Sequence, residues 1–245
     1  TQYFGDEEKA KNYYEKAIEI NPNYAEALNN LGTIYADLSD NQKAKKFYEM
    51  SIKVNPNYEL AYWNLHSLTS NIDEALKELN ILYKVDNNHI RAKIMISILQ
   101  GCKGNFDQFN NLLKLPEANH PYVRSAKWVF SLPKLPNIFF NRSTFFDYAS
   151  TQSDYLRPFY EFGVWNGKSF KYLIKTFKKG FGFDTFTGLP EDWHKEKKGT
   201  YSSHGAIPRI EGGEFIVGKF EDTLDDFFSK KRPIASLINF DADLY

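Results

Sequence analysis

Asn21-Pro22-Asn23-Tyr24 recurs as Asn55-Pro56-Asn57-Tyr58, 34 residues further on. A fixed period of that length marks a stacked array of helix pairs. Within residues 25–58, Leu28, Leu31, Gly32 and Tyr35 share one face of a first helix, and Ala44, Tyr48 and Ser51 share one face of a second. Pro56 closes the unit. Gly32 and Ala44 are small enough to let two antiparallel helices approach, while Tyr35 and Tyr48 fill the space beside them. On the N-terminal side, Ala10, Tyr14, Ala17 and Pro22 fit the second helix of a preceding unit, whose first helix would lie before Thr1. Repeats need stacked neighbours, so the chain is expected to be cut at this end. Residues 59–88 keep the helical period, with a shortened turn at Asn71-Ile72-Asp73, and a drifted pair follows over 89–101 and 106–113.

These positions resemble the tetratricopeptide repeat family over about one full repeat. The resemblance implies a helical solenoid over residues 1–115 whose groove takes a protein or peptide partner; a spacer or dimerisation arm is the alternative. Pro116, Pro121, Pro133 and Pro136 then interrupt the pattern, so 116–140 reads as a connection, with a short helix at 122–131 inside it.

From Phe159 short apolar runs alternate with helical ones. Strands are expected at 160–164, 180–184, 214–220 and 234–241, with helices at 169–178 and at 222–229, the latter capped by Asp222. Alternation of this kind argues for a parallel sheet with helices on its faces. The expected order is 3-2-1-4, implied by right-handed crossovers together with the family resemblance of the strings quoted below. The last strand would then lie at an edge although its run IASLINF (234–240) is apolar on both faces, so the chain is expected to pair or aggregate through it.

In such sheets ligands sit beyond the carboxyl ends of the strands. Gly163, Gly167, Asp184, Glu221 and Asp241 all fall there. The turn from Gly163 to Gly167 lacks the third glycine of the dinucleotide pattern and the Lys-Ser/Thr ending of a phosphate loop, so a pyrophosphate fits poorly. Asp184 is placed to accept hydrogen bonds from ribose hydroxyls. Asp241 and Asp243, one residue apart, point to one face of the final strand, where they would repel without a proton or cation between them.

The strings EFGVWNGKS (161–169), GFDTFTGLPEDW (182–193), VGKFEDTL (217–224) and NFDADLY (239–245) resemble the macrocin O-methyltransferase family of class I S-adenosylmethionine-dependent methyltransferases. The resemblance spans residues 160–245. Together with the repeat resemblance it implies an α-helical tetratricopeptide repeat solenoid plus an α/β Rossmann-like methyltransferase domain over 141–245, incomplete at about four parallel strands. By that resemblance Glu161, Gly163 and Gly167 line the methionine part of S-adenosyl-L-methionine, Ser169 also binds the cofactor, Asp184 holds its ribose, and Phe220, Glu221 and Asp222 flank its adenine. The loop 199–208 corresponds to the family's mobile segment. Asp241 and Asp243 match its metal and catalytic acid motif: a divalent cation, Mg²⁺ by its oxygen ligands, would lower the acceptor hydroxyl's pKa, or Asp241 would take the proton. The implied acceptor is a small hydroxyl compound such as a sugar or glycoside. The family continues past the NFDADLY strand, so this chain is expected to be a piece of a longer protein. Two other readings stay open: an interaction protein with a degenerate binding module, and a nicotinamide dinucleotide site.

Charge and cysteine content set outer limits. Lys plus Arg equals Asp plus Glu at 31 each, which gives no counterion-release drive toward nucleic acid. Cys102 is the only cysteine, so no intrachain disulfide can form, which fits a reducing, cytoplasmic setting. No apolar run approaches the ~20 residues needed to cross a bilayer.

Overall fold

The computed structural model describes residues 2–242, with side chains from Glu8 onward. Two compact units divide the chain, one over residues 9–142 and the other over 143–245 together with residues 1–8.

In the first unit the predicted pairs form as α1 (Gln2–Ile20), α2 (Ala25–Asp37), α3 (Asn41–Val54), α4 (Glu59–His66), α5 (Ile72–Val85), α6 (Ile90–Cys102) and α7 (Asp107–Leu112). The α2–α3 pair shows why the small residues matter. A Cβ on Gly32 would lie 2.7 Å from the Tyr48 ring, so the tyrosine occupies the space that glycine leaves. Ser51 Oγ then donates to the Ala25 carbonyl at 2.7 Å and fixes the second helix to the start of the first. Helix starts are capped where the sequence offers an acceptor: Asp40 Oδ1 accepts from Lys43 N and Asn71 Oδ1 from Glu74 N. Caps of this kind contribute about 1 kcal/mol each. Asn71 and Ile72 therefore do not form a turn; the break falls before Asn71, and α5 begins at Ile72.

The short helix expected inside the proline-containing stretch 116–140 is present. A 3-10 turn, Pro116–Asn119, leads into α8 (Pro121–Phe130), with Pro121 in its first turn, where the missing N–H costs nothing. Val123 and Ala126 of α8 are buried with Ile94, Phe109 and Leu112, extending the helical core.

One departure from the repeat pattern has a measurable consequence. His66 stands one repeat after Gly32, at the position that packing keeps small, and is buried. Its Nδ1 meets the Trp63 carbonyl, and its ring lies 4.6 Å from that of Trp63, which also stacks on His89 at 5.5 Å. Burial, with a smaller contribution from the charge of His89, pushes the His66 pKa below its ordinary value. The unfolded chain therefore takes up the proton first as pH falls. Stability from neutral His66 is fully present above an ordinary histidine pKa of about 6.5 and is lost as pH falls below it. Urea midpoints for the helical half should drop between about pH 7 and pH 5.5, and His66→Gln should flatten that slope. An equal slope in the variant would assign the pH dependence to other groups.

The second unit opens with α9 (Arg142–Thr151) and then alternates β1 (Phe159–Phe162), α10 (Lys168–Phe177), β2 (Gly180–Asp184), β3 (Gly213–Val217), α11 (Phe220–Ser229) and β4 (Leu237–Phe240). The sheet order is β3-β2-β1-β4 with every pairing parallel, the order expected from the sequence. Pleating sends Phe159 and Glu161 to one face and Tyr160 and Phe162 to the other. The first face packs under α10 through Phe170, Leu173 and Phe177. The second packs under α11, where Phe227 meets Tyr160, Phe181 and Phe183, and Phe220 meets Phe162. β2 reads GFGFD because a Cβ on Gly180 would strike the Phe159 ring at 2.4 Å and one on Gly182 would strike Phe215 at 2.8 Å. Its phenylalanines thus serve one face and neighbours' rings fill the other.

Strand ends differ from the sequence reading for backbone reasons. β1 stops at Phe162 because Gly163 turns to φ +87°, and β3 stops at Val217 because Gly218 takes φ +142° and Phe220 already belongs to α11. Asp222 is inside the first turn of α11 rather than at its cap, which is Lys219 without a side-chain bond. β4 is the outer strand, and Ile238 and Phe240 are 52% and 74% exposed on the α11 side. Among the described residues no helix is long and apolar enough to cross a membrane.

Candidate functional site

The carboxyl ends of β1, β2 and β4 converge on the turn that follows β1. Gly163 N donates to the Phe183 carbonyl at 2.9 Å and Asp241 N to the Phe162 carbonyl at 2.8 Å. The turn closes through Gly167 N to the Val164 carbonyl at 2.8 Å, and Gly167, at φ +74°, stands at the cap position of α10. Both glycines answer to the protein's own packing. A Cβ on Gly163 would lie 2.6 Å from the Asp241 carbonyl oxygen, and one on Gly167 would lie 3.1 Å from Pro208 Cγ.

Asp184 ends β2 beneath this turn. Its Oδ2 accepts from Val164 N and Trp165 N, each at 2.7 Å, and its Oδ1 from Phe186 N at 2.6 Å. The carboxylate expected at a ribose is thus bound to three backbone amides. Glu161 is wholly buried on the α10 face, and the Ser169 hydroxyl donates to its Oε1 at 2.5 Å. Asn239, the β4 neighbour of Glu161 in register, keeps a buried amide nitrogen that no group among the described residues accepts from. Sequence reasoning passed over Asn239, although its alternation with Ile238 and Phe240 places it on the same face as Glu161.

The remaining predicted residues are scattered along this edge. The Phe220 ring packs edge-on against Phe162 at 5.7 Å, within the apolar cluster under α11. Glu221 is exposed and pairs with Lys219 at 3.0 Å, and Asp222 is exposed beside it. Asp241 is exposed at the end of β4, while Asp243 lies outside the described residues. Among the described residues no three His, Cys, Asp or Glu side chains cluster as metal ligands. Asp241 by itself makes no magnesium cage.

Loop 199–208 folds onto the segment after β2. The Phe186 carbonyl accepts from Ser203 Oγ at 3.1 Å and from Gly205 N at 2.9 Å, and Tyr201 meets the Trp165 ring edge-on at 5.9 Å. His204, in this loop, is exposed.

The helical unit offers a second candidate surface. Asn64 Nδ2 donates to Asn29 Oδ1 at 3.0 Å, Asn29 Nδ2 reaches Asn30 Oδ1 at 3.4 Å, and Asn30 Nδ2 donates to the Tyr14 hydroxyl at 3.3 Å. This amide ladder runs across α1, α2 and α4. Leu60 and Ile90 are exposed at the starts of α4 and α6. A separate cleft lies between α3, the end of α4 and α5, lined by Lys45, Glu49, Leu65, Leu68 and Glu78. Burial pushes the Glu78 carboxyl above its ordinary value.

The tetratricopeptide repeat family profile matches residues 13–46. A stretch of 31 residues, 13% of this chain and 17% of the relative, is 61% identical to an uncharacterized protein ycf37 of Pyropia yezoensis. Over 36 residues, 14% of this chain and 21% of the relative, it is 58% identical to the ycf37 protein of Porphyra purpurea. The chain thus spans about a fifth of the curated relatives it matches. Among solved structures it is similar to MamA over 52% of its own length and 80% of that chain, at 18% identity and a TM-score of 0.42. A second likeness, to YrrB, a TPR protein with an unusual peptide-binding site, covers 52% of this chain and 86% of that one, at 17% identity and a TM-score of 0.30. The repeat period, the Gly32–Tyr48 packing and the family match agree, and the chain carries a tetratricopeptide repeat region.

Proposed function

We propose that the chain joins a protein-interaction repeat array to a nucleoside-binding α/β unit of the S-adenosylmethionine-dependent methyltransferase type, acting on a hydroxyl acceptor. The observation that carries this reading is the parallel order β3-β2-β1-β4, with the β1 turn and the acids Asp184 and Asp241 on one carboxyl edge. Open parallel sheets bind ligands at that edge. When bound, S-adenosylmethionine supplies a methyl group already activated on a sulfonium. The chain then has to hold an acceptor oxygen in line, about 3 Å away. In this reading the Glu161, Ser169 and Asn239 side chains form the polar floor of the site, and Asp241 accepts the acceptor's proton.

A second reading is favoured by one specific finding: the predicted cofactor residues have partners within the chain. Gly163 faces the Asp241 backbone, Gly167 faces Pro208, Asp184 holds three amides and Phe220 packs on Phe162. An interaction protein with a non-catalytic α/β module would keep those contacts. Titration calorimetry of the whole chain with S-adenosylhomocysteine and with NADH separates the two. Binding of the first at micromolar Kd, with none of the second, is the expected result. Silence toward both, from protein with a folded near-ultraviolet circular dichroism spectrum, would leave the repeat array as the working part.

A further inference from the structure

Val164 N, Trp165 N and Phe186 N surround the Asp184 carboxylate at the edge of the sheet, the first two sharing Oδ2 at 2.7 Å and the third reaching Oδ1 at 2.6 Å. Two of these amides come from the turn after β1, and the third follows β2. Trp165 and Phe186 take positive φ, +48° and +58°, conformations that turn successive amides toward a common anion. In phosphate-binding α/β domains the amides of the turn after the first strand face a phosphate. Here they face the protein's own negative charge.

We propose that Asp184 sets the ligand class of this edge: its carboxylate fills the amide cradle, so the site accepts nucleosides without a phosphate and turns nucleotides away. The proposal rests on the reading of this edge as a nucleoside site and adds to it a selectivity residue. A phosphate brought to the same amides would find their hydrogens engaged and a carboxylate within a few ångströms. Like charges that close in a partly buried setting repel strongly, whereas a neutral or cationic ligand meets no such penalty. Selectivity by an internal anion of this kind needs no bulky side chain, which fits a turn built around Gly163 and Gly167.

Adenosine and AMP differ only by the 5′-phosphate and make the test direct. Calorimetry in magnesium-free buffer compares the whole chain with Asp184→Asn, Asp184→Ala and the control Asp226→Asn. Asp226 is an exposed acid paired with Lys230 in α11. The wild-type chain should prefer adenosine. Both Asp184 variants should shift the AMP-to-adenosine affinity ratio toward AMP by about tenfold or more, and Asp226→Asn should leave it in place. Asp184→Asn keeps one acceptor oxygen for the turn and carries the test if the alanine variant does not fold, as judged by circular dichroism. Wild-type binding of adenosine with an unmoved ratio in the Asp184 variants overturns the proposal and leaves the nucleoside reading standing. An equal shift in Asp226→Asn overturns it too, by assigning the effect to net charge. A wild-type chain silent to adenosine and S-adenosylhomocysteine, with AMP binding gained in Asp184→Asn, removes the nucleoside reading and supports the filled cradle. Silence of every variant toward both ligands overturns both.

Discussion

Gly163→Ala is expected to destabilise the α/β unit by about 2–5 kcal/mol and to loosen the end of β4 from β1. Two costs combine. At φ +87° an alanine sits in the left-handed region, which costs about 1–2 kcal/mol for a residue with a Cβ. The Cβ would also lie 2.6 Å from the Asp241 carbonyl oxygen and 2.8 Å from Ala242 N, and backbone cannot swing aside as a flexible side chain can. Forced overpacking of that kind costs about 1–3 kcal/mol more. Gly199 supplies the control, because it has φ +85° with nothing within 4 Å of its Cβ position. Gly199→Ala should therefore show the backbone cost alone. Urea unfolding followed by near-ultraviolet circular dichroism compares the two; equal losses would mean that β1 and β4 do not approach as closely as this. Since the added Cβ also displaces Asp241, lost ligand binding in Gly163→Ala would report on a shifted edge as much as on a blocked turn.

The parts of this fold that depend on local chemistry were legible in the sequence. The period from Asn21 to Asn55 gave the helix pairs, and Gly32 announced where Tyr48 would lie. The strand order followed from crossover handedness together with the family resemblance. What the sequence hid were contacts between distant segments. Asp184 reads as an acid at a strand end, and nothing local says that amides about twenty positions earlier will reach it. The strand limits were obscured because Gly163 and Gly218 leave the extended region just where the apolar runs continue. The short helix expected at 122–131 forms as α8, but nothing local indicated that Val123 and Ala126 would be buried in the helical core. His66 looked like simple drift from the repeat, because its lowered pKa comes mainly from burial in the folded helical unit, with a smaller contribution from the charge of His89. Asp243 falls outside the described residues, so the acid pair is represented by Asp241.

Phe183→Ala is expected to cost about 3–5 kcal/mol, the range for removing a fully buried phenylalanine from a packed core. Phe183 has no exposed surface; it stacks on Phe162 at 4.6 Å with planes 7° apart and takes the edge of Phe227 at 4.9 Å. Phe240 has nearly the same stacking on the other side of Phe162, at 4.8 Å and 12°, yet is 74% exposed. The pair thus separates ring contact from burial. Stacking by itself contributes about 0.5–1.5 kcal/mol, so Phe240→Ala should lose no more than that, while Phe183→Ala loses the transfer term and leaves a cavity as well. Urea unfolding at low and at high protein concentration reads both variants. If Phe240→Ala proves as costly as Phe183→Ala, and the cost grows with concentration, the outer face of β4 is covered by another chain in solution. That result would convert the apolar run of this edge strand from an exposed surface into part of a core. A small loss independent of concentration would instead leave the sheet complete in stability without anything on that face.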